Sequence, residues 1–190
     1  LGYTFLSGQA TNKLVRILYR QALTSADTIF FHNPDDLSLF LDDGLVPEGK
    51  SSVVAGSGLP LSEYPYASYQ EAFSGRYLFV GRLLTDKGIR EFFAAAKLAK
   101  ARNPTLTFHV LGPLDSGNPA GIPTDELERW VGEGTIVYDG VVPDIRPHLR
   151  QASVVVLPSY REGCPRVLLE AAATGRALIG TDVPGGREVV

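Results

Sequence analysis

The chain predicts an α/β fold, a parallel sheet covered by helices on both faces, and three observations lead there. Near-continuous apolar runs recur at Tyr77–Val80, Leu106–Leu111, Ser153–Leu157 and Ala177–Gly180, as strands buried on both faces require. Segments of helical periodicity alternate with these runs, which is the order of a parallel sheet. The 190 residues are 44% hydrophobic with a net charge of −3, so a substantial core can be buried and disorder is not the default.

Taken in order, residues 11–23 place Leu14, Ile17, Leu18 and Ala22 on one helical face and Lys13, Arg16 and Arg20 on the other. This predicts an amphipathic helix whose basic stripe is a solvated face or, alternatively, touches anionic lipid headgroups. Thr28–Phe31 follows as a buried strand. Asn33, Pro34, Asp35 and Asp36 supply the cap, first-turn proline and first-turn acids of a helix running to about Asp43. Ser52–Val54 is a further short strand. The stretch from Gly56 to Tyr66 is rich in Gly, Pro, Ser and Tyr without periodicity, and places a domain boundary between residues 1–62 and 63–190.

From Arg76 the alternation is regular. Strand Tyr77–Val80 leads to a helix from about Asp86 to Arg102 that buries Ile89, Phe92, Phe93 and Ala96. Strand Leu106–Leu111, a helix over Thr124–Val131, strand Ile136–Tyr138 and a short helix near Asp144–Arg150 come next. Strand Ser153–Leu157, helix Pro165–Thr174 and strand Ala177–Gly180 complete the pattern, with Val189 and Val190 inside what reads as a starting helix.

Composition excludes several classes. Lys and Arg are scattered rather than clustered, so there is no footprint for nucleic acid. Cys164 is the only cysteine, so no internal disulfide forms and a reducing compartment is compatible. No apolar run is long enough for a transmembrane helix, and the N-terminus lacks the regions of a signal peptide. The expectation is a cytoplasmic protein, with peripheral contact to the inner membrane through the N-terminal domain left open. A chain without Met that opens in mid-pattern at Leu1-Gly2-Tyr3 reads as a piece of a longer protein.

Chemistry concentrates around Glu162 and Glu170, which bracket a turn that opens a helix. Gly163 lets the backbone approach a ligand, Pro165 presets the first helical turn, and the N–H groups there suit an anion. Glu170 falls on about the second turn, where a carboxylate can accept two hydrogen bonds from a vicinal diol such as ribose. Arg82 and Lys87 follow strand Tyr77–Val80 and stand at its carboxyl edge, where open α/β sheets bind ligands. Two fixed cations there could neutralise a diphosphate in place of a metal ion.

Other candidates carry less. Cys164 has no histidine near it in the motif and reads as loop packing rather than a nucleophile. His32, His109 and His148 have no metal-ligand spacing, so no metal is expected. Asp144 and His148, four apart, are expected to pair on a helix surface. Gly56-Ser57-Gly58 follows a strand but precedes Leu59-Pro60 rather than a helix, so it fails as a dinucleotide loop.

The stretch from Pro158-Ser159-Tyr160-Arg161 to Pro184-Gly185-Gly186-Arg187-Glu188 resembles the donor-binding half of family 4 retaining glycosyltransferases, which have the GT-B fold with Rossmann-like domains. The wording Phe79-Val80-Gly81-Arg82-Leu83-Leu84 and Arg161-Glu162-Gly163 with Pro165-Arg166 is similar to bacterial enzymes that build capsule, O-antigen or lipid-linked glycans. The resemblance covers about residues 12–190. It implies transfer of a hexose or N-acetylhexosamine from a nucleotide diphosphate sugar, with a lean to UDP, to a glycan or polyprenyl-diphosphate-linked acceptor. No cofactor or metal is implied.

By motif position, the resemblance gives Arg82, Lys87 and Glu162 catalytic roles, the two cations on the donor diphosphate and Glu162 on the donor sugar. Glu170 would hold the ribose. Gly81, Gly163, Cys164, Pro165 and Leu169 would complete the donor contacts, and the backbone at Gly140, Val141 and Val142 would rest against the base. Pro60 stands where the family often has an aspartate at the interdomain hinge. The piece by itself is expected to bind donor but hardly catalyse. A nucleotide-sugar-binding module without turnover and a GT-B sugar-nucleotide epimerase are the alternatives; a phosphorylase would need a pyridoxal phosphate lysine, for which no signature is visible.

Overall fold

The computed structural model describes residues 10–68 and 74–190, so the opening at Leu1 to Tyr3 lies outside the described residues. The chain forms two units. One comprises the residues up to Gly58 with Arg161–Pro165 and Asp182–Val189; the other comprises Leu59–Tyr160, Arg166–Thr181 and Val190.

The first unit contains α1 (Ala10–Thr24), β1 (Ile29–Phe31), α2 (Pro34–Asp42) and β2 (Ser51–Val53). β1 and β2 pair in parallel, with Ile29 opposite Ser51 and Phe31 opposite Val53. Asn33 caps α2 by accepting the Asp36 N–H at 2.7 Å, and Pro34 opens the helix where no N–H is needed. The core is small: Phe31, Phe40, Leu45 and Val46, with Val15, Leu23, Ile29 and Leu37 packed on it. Phe40 meets the rings of Phe31 at 5.1 Å and Tyr19 at 5.3 Å, both edge-on.

α1 forms as expected but turns a different face inward. Val15 and Leu23 pack on the core, whereas Leu14, Ile17 and Leu18 are 58%, 54% and 55% exposed. The physical reason lies in the partners of the polar residues. Arg16 bonds Asn12 Oδ1 at 2.6 Å and pairs with Asp43, and Arg20 donates to the Asp43 carbonyl at 3.1 Å. The C-terminal end of α2 thus draws the basic stripe toward itself, and Leu14, Ile17 and Leu18 turn outward.

The second unit is a five-stranded sheet in the order β5-β4-β3-β6-β7, every pair parallel. Its elements are β3 (Arg76–Val80), α3 (Ile89–Arg102), β4 (Thr107–Leu111), α4 (Thr124–Gly132), β5 (Val137–Gly140), α5 (Arg146–Gln151), β6 (Val154–Leu157), α6 (Arg166–Ala173) and β7 (Ala177–Gly180). With this strand order, the right-handed rule for parallel crossovers assigns α3 and α4 to one face and α5 and α6 to the other. Leu78, Phe79, Ile89, Phe93, Val110, Leu149 and Val155 are wholly buried. α3 and α4 are joined by Phe93 against Trp130 at 5.1 Å and by a two-pronged Arg90–Glu126 bond, both prongs 2.8 Å.

Under α5 lies a half-buried polar cluster. His109 Nδ1 is 2.8 Å from Asp139 Oδ2, and Arg76 Nη2 is 3.8 Å from the same carboxylate and 3.5 Å from His148 Nδ1. The expected Asp144–His148 pair is absent because α5 begins only at Arg146. Asp144 precedes the helix, where it accepts the Arg146 N–H at 3.0 Å and both guanidinium prongs. Near the chain end, Gly186–Glu188 forms a single 3-10 turn in place of the expected helix start.

Candidate functional site

The order of strands in the C-terminal unit creates a switch point. The chain runs outward from β3 through β4 to β5, then crosses back to lay β6 against the other side of β3. Ligands of open α/β sheets bind outside the carboxyl ends of the strands at such a reversal. Two loops leave the sheet there, residues 81–88 after β3 and residues 158–165 after β6.

The first loop is tightly fixed. The Gly81 N–H bonds the Leu111 carbonyl at 2.9 Å, and a side chain at Gly112 would strike the Gly81 carbonyl at 1.9 Å. Thr85 bonds the Ala120 carbonyl through both N–H, at 2.8 Å, and hydroxyl, at 2.9 Å. Gly88 has φ +71, and a Cβ there would lie 2.0 Å from the Pro158 carbonyl oxygen. Only glycine permits that approach. Tyr160 closes the contact, its N–H on the Asp86 carbonyl at 2.9 Å and its hydroxyl on Glu91 at 2.6 Å. Arg82 is exposed and Lys87 half-buried on this frame.

Glu170, on α6, is 7% exposed. A buried carboxylate needs partners, and Glu170 Oε1 accepts from the Tyr64 hydroxyl at 2.9 Å and from Arg166 Nε at 3.1 Å. Leu169 beside it is half-buried. At the end of β5, Gly140 has φ +71, its carbonyl accepts the Gly112 N–H at 2.8 Å, and Val141 is exposed. Tyr64 does not stand out in the sequence, since it sits in an aperiodic linker and its contact spans 106 positions; Arg166 stands four residues before Glu170, the spacing of a pair on a helix.

Glu162, Gly163, Cys164 and Pro165 belong to the N-terminal unit. The buried Asn33, besides capping α2, donates through Nδ2 to the Gly163 carbonyl at 2.9 Å. Arg161 pairs with Asp36, and the Glu162 N–H bonds the Pro184 carbonyl at 3.0 Å. A side chain at Gly185 would meet the Glu162 carbonyl at 2.2 Å. The Cys164 sulfur fills the space beside Gly56, and burial followed by the Glu188 charge raises its thiol pKa. Packing therefore describes it better than nucleophilicity. Among the described residues, no three His, Cys, Asp or Glu side chains gather as metal ligands do.

The family described as glycosyl transferases group 1 matches residues 74–190. The chain belongs to the glycosyl transferases group 1 family. Among its curated relatives in that family is the N,N'-diacetylbacillosaminyl-diphospho-undecaprenol alpha-1,3-N-acetylgalactosaminyltransferase of Campylobacter jejuni, 28% identical over 189 residues, covering 93% of this chain and 48% of that protein. Another is the capsular polysaccharide biosynthesis glycosyltransferase CapM of Staphylococcus aureus, 29% identical over 112 residues, 59% of this chain and 29% of CapM. The chain spans about half the length of the first and less of the second. Anabaena HepE, solved with UDP and glucose, shares the fold at a TM-score of 0.77 and 19% identity, over 94% of this chain and 50% of HepE. Sucrose-phosphate synthase of Thermosynechococcus elongatus does so at 0.73 and 23%, over 95% and 48%. Neighbours of this kind are GT-B glycosyltransferases, and the parallel sheet flanked by helices agrees with them. No helix among the described residues is long and apolar enough to cross a membrane.

Proposed function

We propose that the protein carrying this chain is a retaining glycosyltransferase that moves a hexose or N-acetylhexosamine from a nucleotide diphosphate, UDP in the first instance, to a glycan or polyprenyl-diphosphate-linked acceptor in surface polysaccharide synthesis. One observation carries the reading: the loop of Arg82 and Lys87 and the helix of buried Glu170 leave the same carboxyl edge of the sheet at its switch point. The Campylobacter relative's diphospho-undecaprenol acceptor and the capsular role of CapM support the acceptor class. HepE with UDP and glucose supports the donor class. The working location is the cytoplasm, at or near the inner face of the membrane.

In this reading the anomeric carbon–oxygen bond to the diphosphate breaks, its electron pair passes to the diphosphate, and the acceptor hydroxyl forms the new bond to the anomeric carbon while its proton passes to the departing diphosphate oxygen. Charge on the departing diphosphate grows through that step. Arg82 and Lys87 would then stabilise the transition state more than the ground state, as catalysis requires, without a metal ion. Glu170 takes the ribose diol, Glu162 and the Gly163 and Cys164 amides take the sugar and phosphate, and the backbone of Gly140 to Val142 takes the base.

Turnover of the whole protein by Arg82→Ala and Lys87→Ala is expected to fall ~10²-fold or more, as when an oxyanion donor is lost. Normal turnover in both variants would remove their assigned role. Product analysis tests the reaction class: glycosylated acceptor supports transfer, epimerised nucleotide sugar indicates an epimerase, and no product with intact UDP binding indicates a binding module.

A further inference from the structure

The linker segment that follows Gly58 is tied to α6 and to the turn after it at successive points. After a 3-10 turn over Leu61–Glu63, the Tyr64 hydroxyl donates to Glu170 Oε1 at 2.9 Å. The ring of Tyr66 lies over Gly175, where a Cβ would come within 2.5 Å of it. The Ala67 N–H bonds the Thr174 carbonyl at 3.1 Å, and its carbonyl accepts from Arg176. Pro60 and Pro65 flank the segment and narrow the conformations of the residues before them. Tyr64 is thus delivered to Glu170 by a strap with its own anchors, not by chance surface contact.

We infer that Tyr64 is a positioning residue for ribose recognition: it holds the Glu170 carboxylate in one orientation, so that the hydroxyls of a nucleotide's ribose meet a fixed acceptor. The inference rests on the donor-site reading above. A carboxylate has about four acceptor sites. Tyr64 and Arg166 both occupy Oε1, which leaves Oε2 to accept from the diol. Burial, followed by the bond to Glu170, raises the phenol pKa, so the hydroxyl keeps its proton and remains a donor at neutral pH. Without it, the carboxylate regains rotamer freedom that nucleotide binding must then remove. The loss falls on ground state and transition state alike, and so appears in KM rather than kcat.

The test compares UDP with 2'-deoxy-UDP by calorimetry on the full chain, using wild type, Tyr64→Phe, Glu170→Ala and the double variant, each checked for folding by its melting curve. Wild type should prefer UDP. Tyr64→Phe should weaken UDP about 10-fold and shrink the preference over the deoxy form, as loss of a hydrogen bond to a charged group predicts; Glu170→Ala should abolish the preference; and Tyr64→Phe should add little on top of Glu170→Ala. Turnover of the whole protein should show Tyr64→Phe raising KM for the donor with kcat retained. If Glu170→Ala leaves both affinities unchanged, the donor-site reading at Glu170 fails and the Tyr64 role falls with it. If Glu170→Ala behaves as stated while Tyr64→Phe keeps wild-type affinity and preference, only the Tyr64 inference is overturned. Equal weakening of both nucleotides by Tyr64→Phe, persisting in the Glu170→Ala background, assigns Tyr64 to structure alone and also overturns it.

Discussion

In the C-terminal unit, Leu78 and Phe79 of β3 and Val155 of β6 are wholly buried, whereas Phe30, at the centre of β1 in the N-terminal unit, is 65% exposed. Both sheets are parallel, yet Leu78 and Phe79, successive residues of β3 that point to opposite faces, are both covered, while among the described residues β1 is covered on the side of Ile29 and Phe31 and open at Phe30. The difference teaches where stability resides. Apolar burial stabilises by about 25 cal/mol per Å², so a strand covered on both faces contributes roughly twice what a strand covered on one can. Among the described residues, the C-terminal unit has a core closed on both sides and the N-terminal unit has one layer of it.

The contrast breaks most readily at the aromatic centres. Phe79→Ala should destabilise the C-terminal unit by ~3–5 kcal/mol, and Phe40→Ala should cost the N-terminal unit ~3 kcal/mol or less, because its smaller cluster can collapse into the gap. Trp130 is the only tryptophan and packs on Phe93 in the C-terminal unit, so a thermal melt followed by its fluorescence isolates that unit. A lower midpoint for Phe79→Ala with little change for Phe40→Ala would sharpen the comparison; equal shifts would break it.

Acid should act on the C-terminal unit through His109. Burial, then the neighbouring Arg76 charge, lowers its pKa below the ordinary 6.5 against the opposing bond to Asp139. The unfolded chain therefore binds the proton first. The contribution of neutral His109 is complete above pH 6.5 and is lost as pH falls through the lower folded value. Between pH 7.5 and 5.5 the Trp130-monitored midpoint of wild type should fall more than that of His109→Gln. Parallel profiles would show that His109 is not the titrating group. The smallest effect is expected at Phe30→Ser, within about 0.5 kcal/mol by denaturant melts, since an exposed position leaves little burial to lose.

Much of the C-terminal unit was legible in the sequence because parallel strands buried on both faces must be nearly continuous in apolar residues. Tyr77–Val80 and Ser153–Leu157 could hardly be anything else. The cap at Asn33 was equally readable, since Asn-Pro-Asp-Asp is local chemistry. The inward face of α1 was not. Leu14, Val15, Ile17 and Leu18 spread apolar residues around the helix, and periodicity alone cannot choose among them; the choice was made by Asp43, which holds Arg16 and Arg20. Tyr64 and Arg166 were missed at the candidate site for different reasons. Tyr64 acts across 106 positions, whereas Arg166 lies four residues before Glu170, a spacing that does predict a pair on a helix. Asn33 was seen as a cap, but its second bond, to the Gly163 carbonyl, spends a side-chain N–H that capping leaves over and has no sequence signature.

The N-terminal unit draws on three separate stretches of chain, and this bears on how such proteins can be recombined. Exchanging halves between relatives by a single cut near Gly58 would transplant residues 161–165 and 182–189 away from the Asn33, Asp35 and Asp36 groups that bond them. A chimera made that way would inherit a mismatched loop at Glu162 even if both halves folded. The natural unit of exchange is therefore a non-contiguous set, in which Asn33, Asp35 and Asp36 travel with Arg161, Gly163 and Arg187.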